Sequence, residues 1–196
     1  VRGVARGENT DGEPGKDRGA RTPGGAARTG RWRRQLQLRS WRPVLELGDL
    51  RGNVTTRLRK LRENEAWSAI VLARAGLERL GFEIVGQALR LPPNQAGQAE
   101  RPPYNCDILS PNDFVPAGGQ GIIALQIRRD DADARRILEA LNDRDTFVAL
   151  RAEREFLRLL DGDCDSPFGV QAAVNGATLE MHAQVFAPEM RTGNTT

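Results

Sequence analysis

The run Ala69-Ile70-Val71-Leu72-Ala73 limits the possible folds of this chain more than any other feature. It is apolar, uninterrupted and rich in β-formers, the signature of a parallel strand covered on both faces. From Trp32 onward, short apolar runs of this kind alternate with amphipathic stretches, which is how strand-then-helix units read, so an α/β fold is expected. Val44 to Leu47 reads as a strand. Asn53 or Thr55 can cap a helix running to about Asn64 and carrying Arg57, Arg59 and Lys60. A short helix near Gly76 to Leu80 should end in a left-handed cap at Gly81.

The prolines at 92, 93, 102, 103, 111 and 116 predict a long surface loop over 91 to 116, through which neither a helix nor a central strand can run. Ile122 to Ile127 then reads as another buried strand. A helix from about Asp131 follows, with Ala134, Ile137, Leu138 and Leu141 on one face, and then a mostly buried helix from about Asp145 to Leu160. Phe168 to Val174 and Ala177 to Phe186 flank Asn175-Gly176, a strong signal for a tight hairpin. Residues 1 to 31 hold eight glycines and six arginines without periodicity, and are expected to be disordered.

Composition excludes several classes. No apolar run approaches the roughly eighteen residues needed to span a bilayer, and none near the start resembles a signal peptide, so a soluble protein of a cytoplasm-like compartment is expected. The single histidine, His182, and two distant cysteines, Cys106 and Cys164, cannot assemble a zinc finger or a three-histidine metal site, and they disfavour a Ser-His-Asp triad. No metal site is expected.

Charge is unevenly placed. The net charge is +3, yet residues 28 to 62 carry eleven basic side chains against Glu46 and Asp49 alone, leaving about −6 for the rest. Arginine, which can grip a carboxylate or phosphate through two parallel hydrogen bonds, supplies nearly all of it. By itself such a block reads more readily as a solvated basic surface or a nucleic-acid patch than as a clamp for a multiply charged small anion.

Four local patterns could carry chemistry. Arg33-Arg34-Gln35 and the segment Leu50-Arg51-Gly52-Asn53-Val54-Thr55-Thr56-Arg57 place guanidiniums around a glycine at a helix start, where an anion can approach backbone N–H groups. Arg79 follows the small residues after the Ala69 to Ala73 strand. Gly118-Gly119-Gln120-Gly121 forms a turn that could hinge or contact a ligand, or simply turn. Cys164 lies on a loop among Asp161, Asp163 and Asp165, acids that raise a thiol's pKa and argue against a highly reactive free thiolate. Cys106, in the long loop, has no assigned role.

In combination and in this order, "RRQLQL…RP", "LRGNVTTRLRKL", "AIVLARAGLERLG", "PAGGQG", "RRDDADARRILEALN" and "AEREFLRLLDGDCDSP" resemble the porphobilinogen deaminase (hydroxymethylbilane synthase) family of tetrapyrrole biosynthesis, over about Thr29 to Val174. The resemblance implies a transferase that joins four porphobilinogen molecules head to tail, releasing ammonia, on a dipyrromethane cofactor held by a thioether, one per chain. Cys164 matches the cofactor cysteine. Arg33, Arg34, Arg51, Gly52 and Arg57 would bind cofactor or substrate carboxylates, and Arg79 and Gln120 the incoming substrate. Each pyrrole carries an acetate and a propionate, which accounts for the arginine block.

The resemblance also implies a periplasmic-binding-protein-like core followed by a small α+β domain. Residues 32–121 are expected to form the cofactor- and substrate-binding domain, 122–143 a strand-helix segment of the family's first domain, and 144–196 a truncated C-terminal domain. The chain is read as partial, lacking most of the first domain and the end of the third. The aspartate that assists deamination in the family would lie in the missing domain, so no catalytic residue is assigned here. At Arg28-Thr29-Gly30-Arg31 the family's two serines are replaced. A cytoplasmic monomer is expected, binding neither nucleic acid nor membrane, since the basic block lacks interleaved exposed aromatics beyond Trp32 and Trp41. The alternative is a non-catalytic remnant that binds anionic pyrroles or another polyanion.

Overall fold

The computed structural model describes residues 2–6, 25–85, 88–90, 104–163 and 166–187. They fall into two compact units that divide between Phe114 and Val115. The first unit is a mixed seven-stranded sheet with helices, ordered β3-β2-β4-β1-β7-β6-β5. Its strands are β1 (Arg2–Arg6), β2 (Ala26–Arg28), β3 (Glu46–Gly48), β4 (Trp67–Leu72), β5 (Glu83–Val85), β6 (Ala88–Arg90) and β7 (Tyr104–Ile108). Its helices are α1 (Trp32–Trp41), α2 (Val54–Glu63) and α3 (Arg74–Glu78). β2 runs parallel to both β3 and β4, the arrangement expected of strand-helix-strand units, while β1 is antiparallel to β4 and β7.

The expected Ala69 to Ala73 strand is β4, whose Ile70, Val71 and Leu72 are buried. They enter a core with Leu58 and Leu61 of α2 and Leu77 of α3. Asn53 caps α2 as anticipated, its side chain accepting from the Thr56 N–H at 2.8 Å. Gly81 takes the left-handed conformation after α3, at φ 77°.

Four expectations for this unit are corrected. Residues 1 to 31 were expected to lack order, yet Arg2–Arg6 and Ala26–Arg28 are strands. A strand this short shows no readable alternation, and its backbone bonds to neighbours supply the order; residues 7–24 lie outside the described set. The proline-rich stretch contains β7, between β1 and β6, because the prolines flank Tyr104–Ile108 without removing any of its own N–H donors. Cys106 is therefore a buried strand residue, 1% exposed, and not a loop residue. Finally, the strand expected at Val44 to Leu47 begins two residues later, at Glu46.

The second unit, Val115–Ala187, holds α4 (Ala132–Glu139), α5 (Arg144–Leu159) and the hairpin β8 (Phe168–Asn175) and β9 (Thr178–Val185). Gly176, at φ 64°, takes the first loop position of the hairpin, where a two-residue connection of this kind favours glycine. Asp131 and Asp143 cap α4 and α5 through Ala134 N–H at 2.9 Å and Thr146 N–H at 2.8 Å.

Glu153, only 5% exposed, ties three segments of this unit together. Its carboxylate accepts from the Gly119 N–H at 2.6 Å and from the Ala172 N–H at 2.7 Å. A side chain at 118 would press on Leu157 and Val170, so the glycine turn packs directly on α5 and β8. That packing carries the turn into the second unit, whereas the sequence reading closed the preceding domain at 121.

Two expectations fail in this unit. Ile122 to Ile127 forms no strand: it pairs with no strand among the described residues, and Ile123 and Leu125 stand exposed. A strand needs a neighbour for its N–H and C=O groups, and apolar composition cannot provide one. α5 is not mostly buried either. Ala149 and Glu153 are its buried positions, while Phe147, Val148 and Leu159 are exposed.

Candidate anion-binding site

The arginines that most distinguish the sequence come together where α1 and α2 begin. α1 has no apolar stripe. Its residues 33 to 37, Arg-Arg-Gln-Leu-Gln, are consecutively buried, so the start of the helix is enclosed on all sides. Arg33 and Arg34 are 4% and 7% exposed. Burying a guanidinium is unfavourable unless something pairs with it, and the fold supplies polar partners. Arg34 Nη1 donates to the carbonyl of Val71 at 3.1 Å, anchoring the helix to β4. Gln35 Nε2 donates to the Thr29 carbonyl at 3.1 Å and to Asp49 Oδ1 at 2.9 Å, which holds the segment before the helix against the loop after β3.

That loop brings in α2. Gly52 sits at φ 116°, a conformation that favours glycine, and turns the chain into the Asn53 cap. Arg57 Nε then donates to the Gly52 carbonyl at 2.7 Å, and Lys60 Nζ to the Arg51 carbonyl at 3.1 Å. Gly30 closes the arrangement. A Cβ there would collide with the Leu50 carbonyl oxygen and lie 3.7 Å from Arg57 Nη2, so the chain entering α1 runs against the chain entering α2. Thr29 is fully buried, and its hydroxyl has no hydrogen-bond partner among the described residues.

Electrostatics follow from this crowding. Burial, then Arg34 and Arg31, push the Arg33 pKa down to about 9. Burial, then Arg57 and Arg31, lower Arg34 to about 10. Arg57 is lowered in the same direction by burial and by Arg31. The three guanidiniums are held close together at a cost that a multiply charged anion would relieve.

The structure thus gathers Arg33, Arg34, Gly52 and Arg57, with Arg51 exposed on the same loop. Arg79 lies on a separate element, exposed at the C-cap of α3. Gln120 belongs to the second unit, its N–H donating to the Ala117 carbonyl at 3.0 Å. Cys164 lies outside the described residues; of its neighbours, Asp163 and Ser166 bond to each other, Ser166 Oγ donating to Asp163 Oδ1 at 2.7 Å. Gln35, Thr29 and Arg31 lie within motifs that the sequence marks, but it assigns them no binding role. Polar residues at the start of a helix give no periodic signal that marks them as buried. Among the described residues, no group of His, Cys, Asp and Glu side chains could hold a metal, and no helix is long and apolar enough to cross a membrane.

A mixed α/β unit that gathers buried arginines at converging helix starts has donors of the kind that anionic groups engage. Residues 16–136 match the family model described as "Porphobilinogen deaminase, dipyromethane cofactor binding domain", and residues 147–195 the model described as "Porphobilinogen deaminase, C-terminal domain". The chain belongs to the porphobilinogen deaminase family. A porphobilinogen deaminase of Syntrophobacter fumaroxidans is 41% identical over 162 residues, which cover 83% of this chain and 46% of that protein. One from a Roseiflexus species is 38% identical over 179 residues, 91% of this chain and 52% of the relative. A Nitrobacter winogradskyi porphobilinogen deaminase is 40% identical over 166 residues, 85% of this chain and 46% of the relative. The chain spans about half the length of these curated relatives.

Proposed function

We propose that this chain is the cofactor-holding and carboxylate-gripping part of a hydroxymethylbilane synthase, which condenses four porphobilinogen molecules into a linear tetrapyrrole with release of ammonia. The observation that carries the reading is the cluster of buried Arg33 and Arg34 with Arg57 at the converging starts of α1 and α2. Pyrroles bearing acetate and propionate arms present the anionic groups that such guanidiniums bind through paired hydrogen bonds.

The residues present fit a dipyrromethane. The donor set is cationic and preformed, the Thr29 hydroxyl stands without a partner, and the glycine at 30 leaves the backbone bare beside Arg57. Arg33, Arg34, Arg57 and the Gly52 turn would hold its carboxylates, with Cys164 as the covalent anchor. When bound, the group offers a nucleophilic pyrrole carbon to which further pyrroles are added. This chain's side chains orient the carboxylates and keep the growing product from diffusing away. Arg79 and Gln120 would contact the incoming substrate.

On the same reading the first unit has a periplasmic-binding-protein-like core, and residues 122–143 complete a domain supplied by the rest of the protein, together with the acid that assists deamination. The protein would act as a cytoplasmic monomer. The test is intact mass after incubation with porphobilinogen. A dipyrrole-sized increment in the wild type that is lost in Cys164→Ser supports the reading, whereas an unchanged wild-type mass, even when the chain is supplied within the full-length protein, removes it and leaves a non-catalytic anion binder.

A further inference from the structure

Among eleven basic side chains, residues 28 to 62 hold two acids, Glu46 and Asp49, and the fold engages both. Glu46 Oε1 pairs with Arg28 Nη2 at 2.5 Å, and the same guanidinium lies over the Trp67 ring, 5.7 Å from its centroid. Asp49 is held differently. It forms no ion pair among the described residues, and its Oδ1 accepts from a neutral donor, Gln35 Nε2, at 2.9 Å.

The Gln35 side chain is suited to this task. It is 8% exposed, and its Nε2 faces two acceptors, the Asp49 carboxylate and the Thr29 carbonyl at 3.1 Å. A primary amide has two N–H groups to give and serves both, whereas a carboxylate or a thioether of similar length has none. The bond matters because of where Asp49 sits. It directly precedes Leu50, whose carbonyl lies against Gly30, and the Cβ position at Gly30 is 3.7 Å from Arg57 Nη2. Gln35 itself directly follows the buried Arg33 and Arg34. Released from the amide, the Asp49 carboxylate would be a charged acceptor at the edge of the arginine cluster, and a carboxylate bonds a guanidinium more strongly than it bonds a neutral amide.

We propose that Gln35 is a positioning residue that sequesters an acid: it holds the Asp49 carboxylate away from Arg33, Arg34 and Arg57, and so removes a built-in competitor for the carboxylates of the ligand. The inference rests on the function proposed above and deepens it, because an internal carboxylate competes only where the cluster binds carboxylates. Such a competitor is tethered, so its effective concentration is high and it would weaken every external carboxylate ligand.

The experiment measures porphobilinogen affinity by calorimetry for the 196-residue chain as wild type, Gln35→Met, Asp49→Asn and the double variant, with melting temperatures alongside. Methionine keeps the length and helix preference of glutamine but donates nothing. Gln35→Met is expected to weaken binding about three- to fivefold, the scale of one exposed ion pair. Asp49→Asn alone should stay within about twofold of the wild type, since the new amide oxygen still accepts from Gln35 and carries no charge to compete. In the double variant, affinity should return to within about twofold of Asp49→Asn. Both chains altered at position 35 lose the Thr29 bond, so that loss is common to them and the difference between their affinities reports Asp49. A double variant as weak as Gln35→Met makes Gln35 an ordinary structural tie and overturns the inference, as does unweakened binding in Gln35→Met. A wild type that binds no porphobilinogen, alone or within the full-length protein, overturns the proposed function and this inference with it, a result distinct from a wild type that binds and variants that match it.

Discussion

Arg34, near the start of α1, donates through Nη1 to the carbonyl of Val71 in β4 at 3.1 Å. A charged side chain that the sequence marks for recognition is thereby fixed to the middle of the apolar core run. The bond orients the guanidinium without neutralising it, because a carbonyl accepts but carries no full charge. Position and charge are therefore supplied by different parts of the fold, and each can be perturbed separately.

Binding should depend on pH through Arg33. Its pKa in the folded chain is depressed to about 9, and only the cation grips a carboxylate. Affinity for porphobilinogen is expected to hold through neutrality and to fall as pH rises through about 9. The sign for stability is opposite: the native state is penalised while this buried group is charged, so its contribution to stability rises over the window from about 9 toward the ordinary arginine value. Calorimetric titrations and melting curves at matched pH values test both directions, and an affinity still constant well above pH 9 would contradict the assignment.

Asn53→Ala should cost about 1 kcal/mol of folding stability, the usual loss when a helix cap is removed. The cap accepts from Thr56 N–H at 2.8 Å at the turn that aims Arg57, so a few-fold loss of anion affinity should accompany the lower denaturation midpoint. Unchanged stability would show that α2 is held by its packed face alone.

Gly30→Ala places a methyl group against the Leu50 carbonyl oxygen, which is backbone and cannot rotate away. Overpacking of this kind costs roughly 1–3 kcal/mol. Denaturant unfolding should show that loss, together with weaker porphobilinogen binding as the two helix starts are forced apart. A variant as stable as the wild type would mean that the two segments can separate freely.

Glu153→Ala leaves the Gly119 and Ala172 N–H groups without their acceptor in a buried position. Each orphaned donor costs about 1–3 kcal/mol, so the second unit should be strongly destabilised. Hydrogen exchange at the Gly119 and Ala172 amides is expected to quicken first. Unchanged protection at both amides would argue that the two bonds contribute little.

The first cap and the tight hairpin turn were legible because each depends on residues adjacent in sequence. Asn53 caps the turn that follows it, and Gly176 supplies the positive φ that its connection requires. The burial of Arg33, Arg34 and Gln35 was not legible. Nothing in five consecutive, mostly polar positions says that neighbouring segments will enclose them. The same limit explains β7, which forms between prolines once β1 and β6 flank it, and Ile122 to Ile127, which has strand composition and no partner among the described residues.

Sequence alone determined the chemistry available to this protein: an arginine-dense segment suited to carboxylates, a family signature carried by ordered motifs, and caps and turns set by local backbone preference. Only the tertiary structure decided which arginines converge, how far burial lowers their pKa values, and that Gly30 brings Arg57 to the start of α1. The reason is physical. Capping and turn formation are governed by groups within a few residues of one another, whereas desolvation, like-charge crowding and strand pairing depend on segments that only folding brings together.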